Sequence, residues 1–350
     1  MREKPHTLPP PRGKGRGWGL PDTLSHFLHV LAWLVGKLPF RALPFLGACL
    51  GFVAGSVLRI RRRHVEASMR TAGIEGAPRY ARAMYASLGT GLFEFLWMMG
   101  RPGENLANRI AFAPEALEIL AKYRADGRGV VVATAHTGNW DLVACAAAHL
   151  GPLTVVTKRL SMRSLDRIWQ SARAARGVRL LDAEGASRHV LEALARGGIA
   201  ALLVDQAPER SSGFVVVPFL GRPARCDLTP AVLAARARVP VLVALGRRLD
   251  DGTHLVELRL VLEPPSRPSR AWVHEATARI QQAVEAFVRE HPSQWLWLHR
   301  RWKLVSHEGL DENAAAQFSA SSAASLSVAA SSPASASVPA SPSSQLDSGK

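Results

Sequence analysis

From about residue 129 to residue 262, short β-branched runs alternate with segments whose apolar residues recur every three or four positions, the mark of strands and helices taking turns. Gly129 to Thr134, Leu153 to Thr157, Val178 to Leu181 and Ala200 to Val204 read as short strands. Leu142 to Leu150, Ser164 to Arg176 and Ser187 to Arg196 read as the helices between them. Pro230 to Ala237 then reads as a helix, and Val241 to Arg247 and His254 to Leu262 as two more strands. A long helix from about Arg270 to Glu290 sets Val273, Ile280, Val284 and Phe287 on one face. The alternation predicts an α/β fold, with a mainly parallel central sheet flanked by helices.

Upstream the pattern is helical. Ala77 to Met99 carries Tyr80, Met84, Leu88, Leu92 and Phe95 near one face, either as core packing or as the border of an entry route for a lipid, and Leu117 to Arg124 is a further helix. Nearer the start, Leu24 to Gly36 and Ala42 to Leu58 are apolar, separated by Lys37, Pro39 and Arg41. The second stretch is uncharged and sits at the lower limit for a spanning helix, which leaves a span, an interfacial helix or a hairpin open. Arg59, Arg61, Arg62 and Arg63 follow at once and suit an anionic cytoplasmic leaflet. A cleaved signal peptide fits poorly, because the apolar part is interrupted and lacks a small-residue cleavage site. The expected division is a disordered basic leader (1–19), a membrane-anchoring helical segment (20–63), a principal α/β domain (64–310) and a disordered Ala/Ser/Pro-rich tail (311–350).

Charge changes the picture of partners. The 350 residues hold 44 Lys and Arg against 28 Asp and Glu, a net +16, which points to an acidic partner: nucleic acid, an anionic membrane or an acidic carrier protein. Nucleic acid is not expected, because no recognised nucleic-acid module is present and the basic residues flank apolar stretches. Arg163 and Arg167, with Arg173 and Arg176 beyond them, make a basic helix face that suits an acidic carrier or plain solvation. Cys49, Cys145 and Cys226 stand far apart in apolar settings and read as buried thiols in a reducing compartment. No cluster has metal-ligand spacing, so no metal is expected.

The chemistry concentrates where the first of the alternating strands ends. Across Ala133-Thr134-Ala135-His136-Thr137-Gly138-Asn139-Trp140-Asp141 a histidine leaves the strand, Gly138 and Asn139 form a tight turn, and an acid stands at the N-terminus of the next helix, where it suits a cap. A neutral imidazole can take a proton from a hydroxyl while a carboxylate fixes its tautomer. No Ser or Cys lies in a nucleophile elbow, so the hydroxyl would belong to the substrate. On their own, a His and an Asp five residues apart fit a turn histidine beside a capped helix equally well. Lys158, Arg159 and Asp205 fall at the carboxyl ends of later strands, where open α/β sheets bind ligands, and the two cations suit phosphate or sugar-acid groups. Asp205, followed by Gln206, has two readings: it orients a substrate hydroxyl or Arg159, or it caps its own loop. Val215 to Leu220 reads as an apolar loop that either lines a channel or packs on the core, and the Trp and cationic side chains of residues 294–303 fit a membrane interface.

His136-x-x-x-x-Asp141, in the fuller string His136-Thr137-Gly138-Asn139-Trp140-Asp141, resembles the signature of the His-x4-Asp acyltransferases and, within them, of the bacterial late acyltransferases of lipid A biosynthesis. Asp205-Gln206-Ala207-Pro208 with Val217-Pro218-Phe219-Leu220-Gly221-Arg222-Pro223-Ala224 is similar to a second block of that branch. Pro292-Ser293-Gln294-Trp295-Leu296-Trp297-Leu298-His299-Arg300-Arg301-Trp302-Lys303 is similar to its closing block, so the likeness covers residues from about 20 to 305. Trp295 and Trp302 stand in place of smaller aromatics, and Cys226 in place of a commoner Thr. The Phe-Pro-Glu-Gly-x-Arg block of glycerol-phosphate acyltransferases is absent.

The resemblance implies a glycerolipid-acyltransferase-like fold anchored at the cytoplasmic face of the inner membrane. The implied reaction moves a fatty acyl chain from acyl carrier protein to a hydroxyl of a phosphorylated glycolipid, a lipid A precursor of the Kdo2-lipid IVA type, with no cofactor beyond the thioester co-substrate. In it His136 is the base, Asp141 orients it, and backbone N–H groups near Gly138 and Asn139 are candidates for an oxyanion hole. Acyl-CoA-dependent acylation of another glycolipid or lysophospholipid, as in the branch that acylates phosphatidylinositol mannosides, is the neighbouring alternative.

Overall fold

A computed structural model describes residues 21–303; the basic leader and the Ala/Ser/Pro-rich tail lie outside the described residues. In chain order the elements are α1 (Pro21–Gly36), α2 (Leu43–Phe52), α3 (Arg62–Thr71), α4 (Ala77–Gly100), β1 (Ile110–Phe112), α5 (Pro114–Ala125), β2 (Val130–Thr134), α6 (Trp140–Ala147), β3 (Leu153–Thr157) and α7 (Arg163–Ala174). They continue with β4 (Arg179–Asp182), α8 (Ala186–Ala195), β5 (Ile199–Leu203), β6 (Phe214–Phe219), β7 (Arg222–Asp227), α9 (Thr229–Ala237), β8 (Val241–Arg248), β9 (His254–Leu262) and α10 (Arg270–Glu290). The α/β alternation read from the sequence is therefore the architecture, and most boundaries fall within two or three residues of the expected ones. Val215 to Leu220 is a correction: it is not a loop but most of β6, which pairs antiparallel with β7 as a separate hairpin, and α3, β1 and β7 fall where no element was expected.

Seven strands form one sheet in the order β1-β9-β8-β2-β5-β3-β4, parallel except where β8 and β9 run antiparallel. Strand β2 alternates its side chains between two cores, as the pleat requires. Val131 and Ala133 join the layer containing α8, α9 and α10, whereas Val130 joins the layer containing α5, α6 and α7. Because β2 and β5 are central neighbours with Thr134 opposite Leu203, the residues that leave their carboxyl ends emerge side by side.

The N-terminal apolar helices do not stand apart from this domain. The stretch Phe40–Val57, helical throughout, is long and apolar enough to cross a membrane by length and composition, but one side of it is built of glycines that press on α4. A Cβ on Gly47 would collide with the backbone of Thr90, and one on Gly51 would come within 2.5 Å of the Ala86 nitrogen. The large side chains point outward: Phe45 is 72% and Phe52 62% exposed, and on α1 Phe27 and Trp33 are similarly bare. One apolar face is thus left open to the surroundings while the other is part of the core. Cys49 lies on the open side and is exposed, unlike Cys145 and Cys226, which correct the expectation of three buried thiols to two.

Candidate active site

His136 is the second residue after β2 and Asp205 the second after β5, so the register of the two strands brings them together. The His136 ring places Nδ1 2.9 Å from Asp205 Oδ1, while its backbone N–H donates to Oδ2 at 3.0 Å. Trp295 Nε1–H donates to the same Oδ2 at 2.8 Å. Burial alone would raise the Asp205 carboxyl, but the charge and hydrogen bonds of His136 outweigh it and hold it well below the ordinary carboxylate range. An ionised Asp205 fixes the ring proton on Nδ1, so the Nε2 lone pair of His136 faces outward. Gln206 Nε2 stands 3.4 Å from that lone pair and 3.2 Å from Nε2 of His299.

The backbone of the turn is fastened to the segment after α10. Gly138 N–H donates to Gln294 O, Leu296 N–H donates to His136 O, and Thr137 bridges to Trp295. Gly138 has φ +55°, and a Cβ there would lie 2.8 Å from Gly246 O, so only glycine fits. Its N–H is already used by Gln294 and is not an oxyanion-hole donor in this geometry.

Asp141 departs from the expected pairing with His136. It is buried in the first turn of α6, where Trp169 Nε1–H donates to it at 3.1 Å and Arg173 forms an ion pair with it. The helix cap is Asn139, whose side-chain oxygen accepts from Leu142 N–H at 3.1 Å. Arg159 likewise pairs with Asp182 at 2.9 Å rather than with Asp205, and Lys158 with Glu209 at 3.0 Å; both cations are mostly exposed at the rim. Of the basic face of α7, Arg163 and Arg167 are exposed, but Arg173 serves Asp141 and Arg176 binds the carbonyls of Met98, Arg101 and Glu104.

His299 is the residue that sequence reasoning missed. Its ring packs edge-on against His136 with centroids 4.7 Å apart, and burial together with the neighbouring His136 lowers its imidazole to about 4. It sits in the aromatic-basic block assigned above to a membrane interface, yet Trp295 and Trp297 in that block are buried to 1% exposure. The block is a wall of the site, and its Trp-x-Trp-x-His alternation was the available signal. His136, Asp205 and His299 hold their donor atoms within 4.8 Å of one another, an arrangement organised by the hydrogen bonds just given.

Two apolar cavities meet at Trp140. One, of about 310 Å³, lies between α2, α4 and the His136 turn, lined by Leu50, Tyr85, Leu88, Leu92 and Trp169. The other, of about 110 Å³, runs under the sheet past Thr134, Thr137, Val143, Leu120 and Leu242. A histidine held by a carboxylate at the ends of two central parallel strands, in a turn that also walls two apolar cavities, is the arrangement of an α/β enzyme site.

The model of the bacterial lipid A biosynthesis acyltransferase family matches residues 20–304, and the chain belongs to that family. It is an acyltransferase. It is similar to the lipid A biosynthesis palmitoleoyltransferase of Escherichia coli, 24% identical over 277 residues that cover 77% of this chain and 88% of that one. The E. coli lipid A biosynthesis lauroyltransferase is 25% identical over 280 residues, with the same coverage. The phosphatidylinositol mannoside acyltransferase of Mycolicibacterium smegmatis is 28% identical over 184 residues, 50% of this chain and 57% of that enzyme.

Proposed function

We propose that this protein moves a fatty acyl group from an acyl carrier protein thioester to a hydroxyl of a phosphorylated glycolipid of the lipid A precursor type, at the cytoplasmic face of the inner membrane. The reading rests chiefly on one observation: the turn that holds His136 against Asp205 also walls two apolar cavities, through Gly138 to Asp141 on one side and Thr137 and Trp140 on the other. His136 Nε2 takes the proton of the acceptor hydroxyl, and the hydroxyl oxygen forms a bond to the thioester carbonyl carbon. The carbon–sulfur bond then breaks, and the departing thiolate takes the proton back from His136. Asp205 keeps the ring in the required tautomer and balances its charge when it is protonated. Asp141 acts at one remove, by fixing α6 to α7 through Arg173 and Trp169.

The cavity against α2 and α4 borders the helices whose outer faces are apolar, so it suits a chain that arrives from a bilayer. The cavity beneath the sheet suits the chain being transferred. The exposed cations Lys158, Arg159, Arg163 and Arg167 at the rim suit a phosphorylated headgroup or an acidic carrier. The mycobacterial likeness supports one alternative, acyl-CoA-dependent transfer to a mannoside lipid.

The test is transfer by detergent-solubilised full-length protein, with carrier-protein and coenzyme A thioesters supplied in turn against a lipid A precursor and a phosphatidylinositol mannoside. Carrier-dependent transfer to the precursor, lost in His136→Ala, is the expected result. Transfer only from coenzyme A to the mannoside would move the protein to the other branch, and full activity of His136→Ala would remove His136 as the base.

A further inference from the structure

Glu94 lies on α4, inside the apolar stripe that runs through Leu92 and Phe95, and is fully buried. A buried carboxylate needs partners, and Glu94 has five contacts with three side chains. Arg248 donates to it from Nε at 2.8 Å and from a terminal nitrogen at 2.7 Å, His254 Nε2 lies 3.2 Å from both oxygens, and Asn139 donates its side-chain N–H at 2.8 Å. Burial works to raise this carboxyl, yet Arg248 and His254 together bring it down to about 2, so it stays charged. A buried ion pair is not an efficient means of stabilising a fold, since apolar residues of like volume do as well or better. Its retention here calls for another reason.

The partners supply one. Asn139 lies in the turn that carries His136, and its other side-chain atom caps α6. Arg248 ends β8, and its backbone N–H and C=O both meet the side chain of Gln294, at 3.2 and 3.3 Å. The carbonyl of the same Gln294 holds Gly138 N–H at 2.9 Å. Glu94 is therefore joined to the catalytic turn twice, directly through Asn139 and indirectly through Arg248 and Gln294. One helical turn earlier, Gly91 and Leu92 line the larger cavity together with Asn139 itself.

We infer that Glu94 is a positioning residue for the transfer reaction: it ties the His136 turn to α4 and so sets the imidazole at a fixed place relative to the cavity wall that α4 and α2 form. The inference rests on the reading of His136 as the base. Loss of the tie lets the turn drift, and displacements of about 1 Å at a reacting group cost on the order of 10²-fold in rate. Binding of the chains, which depends on the cavities, is little affected.

Two variants separate this role from simple folding. Glu94→Leu with Arg248→Met removes both charges at once and leaves no buried ion unpaired. Asn139→Ser keeps a hydroxyl to cap α6 and drops the amide that reaches Glu94 and, at 3.2 Å, the Gly91 carbonyl on the same helix, whereas the double variant leaves the Gly91 contact in place. In both, kcat is expected to fall about 10- to 100-fold with KM for donor and acceptor within about threefold, and the losses should not add when the variants are combined. Hydrogen exchange at residues 136–143 should quicken at least about tenfold while α10 is unchanged; this readout needs no turnover and stands even if the reaction is of another kind. Wild-type kcat and wild-type exchange in Asn139→Ser would overturn the role of Glu94, as would a rise in KM alone. Activity surviving in His136→Ala would instead defeat the reading of the base.

Discussion

The imidazole of His136 and the carboxylate of Asp205 meet at 2.9 Å although 69 residues separate them in the chain. Asp205→Asn preserves the size of the side chain but can present an amide nitrogen to Nδ1, which favours the wrong tautomer. We predict a fall in kcat on the order of 10²- to 10⁴-fold that persists when activity is counted per folded molecule, since loss of a buried carboxylate that accepts three hydrogen bonds also lowers the melting temperature. A kcat within twofold of wild type in a purified-enzyme assay would take Asp205 out of the mechanism.

Asp141 should behave differently. Its side chain is 5% and that of Arg173 12% exposed, so Asp141→Ala strands a buried guanidinium, a change that costs roughly 3–5 kcal/mol. The expected outcome is a lower melting temperature, partly restored by adding Arg173→Leu, and a kcat per folded molecule reduced far less than in Asp205→Asn. Equal losses in the two single variants, measured per folded molecule, would return Asp141 to the reacting centre.

Acid should weaken the fold in two stages. Burial and the adjacent His136 lower the His299 imidazole from about 6.5 to about 4, against the opposing pull of Asp205, with Arg61 and Arg301 adding to the depression. Between these pH values the unfolded chain binds the proton and the folded one does not, so stability falls as pH drops from about 6.5 to about 4 and is level above that window. Glu94, held near 2 rather than 4.5, adds a second loss below pH 4.5 as the unfolded carboxyl takes up its proton. Thermal melts of the solubilised protein from pH 7.5 to 4.5 should show the first slope, and His299→Gln should reduce it to the share left by His291, whose imidazole burial also lowers. An unchanged slope would mean that His299 is not the group responsible.

The open face of α2 predicts a separable membrane function. Phe45→Asp with Phe52→Asp places two charges on that face, away from both cavities. Flotation with anionic vesicles should fall at least about tenfold, since each buried aromatic contributes roughly 1.5–3 kcal/mol, while turnover in detergent persists. Undiminished flotation would place the bilayer contact elsewhere.

Local pattern carried most of the fold. The short apolar runs located β2, β3 and β5 because a buried parallel strand must be apolar on both faces, and the period of α10 followed from its single buried side. What pattern could not give was strand order. His136, Arg159 and Asp205 each sit at a strand end, but only the placement of β5 between β2 and β3 makes Asp205 the partner of His136 and sends Arg159 to Asp182 on β4. Sequence proximity favoured Asp141 for the same task, yet the helix turns that carboxylate toward α7. The tryptophans near the end misled for a related reason. Trp and Arg side by side suit a membrane surface as composition, whereas Trp295, Trp297 and Arg301 are each 1% exposed and line the protein's interior.

The glycines of α2 bear on what the N-terminal helices are for. Where the backbones of Gly47 and Gly51 touch those of Thr90 and Ala86, there is no layer of side chains to part, and the same helix walls the larger cavity through Leu50 and Gly51. A helix seated in this way is not a tether from which the enzyme hangs. Cutting it off would not trim away an appendage but would unroof the chamber, because the helix that looks like an anchor by composition is also one wall of the space beside the His136 turn.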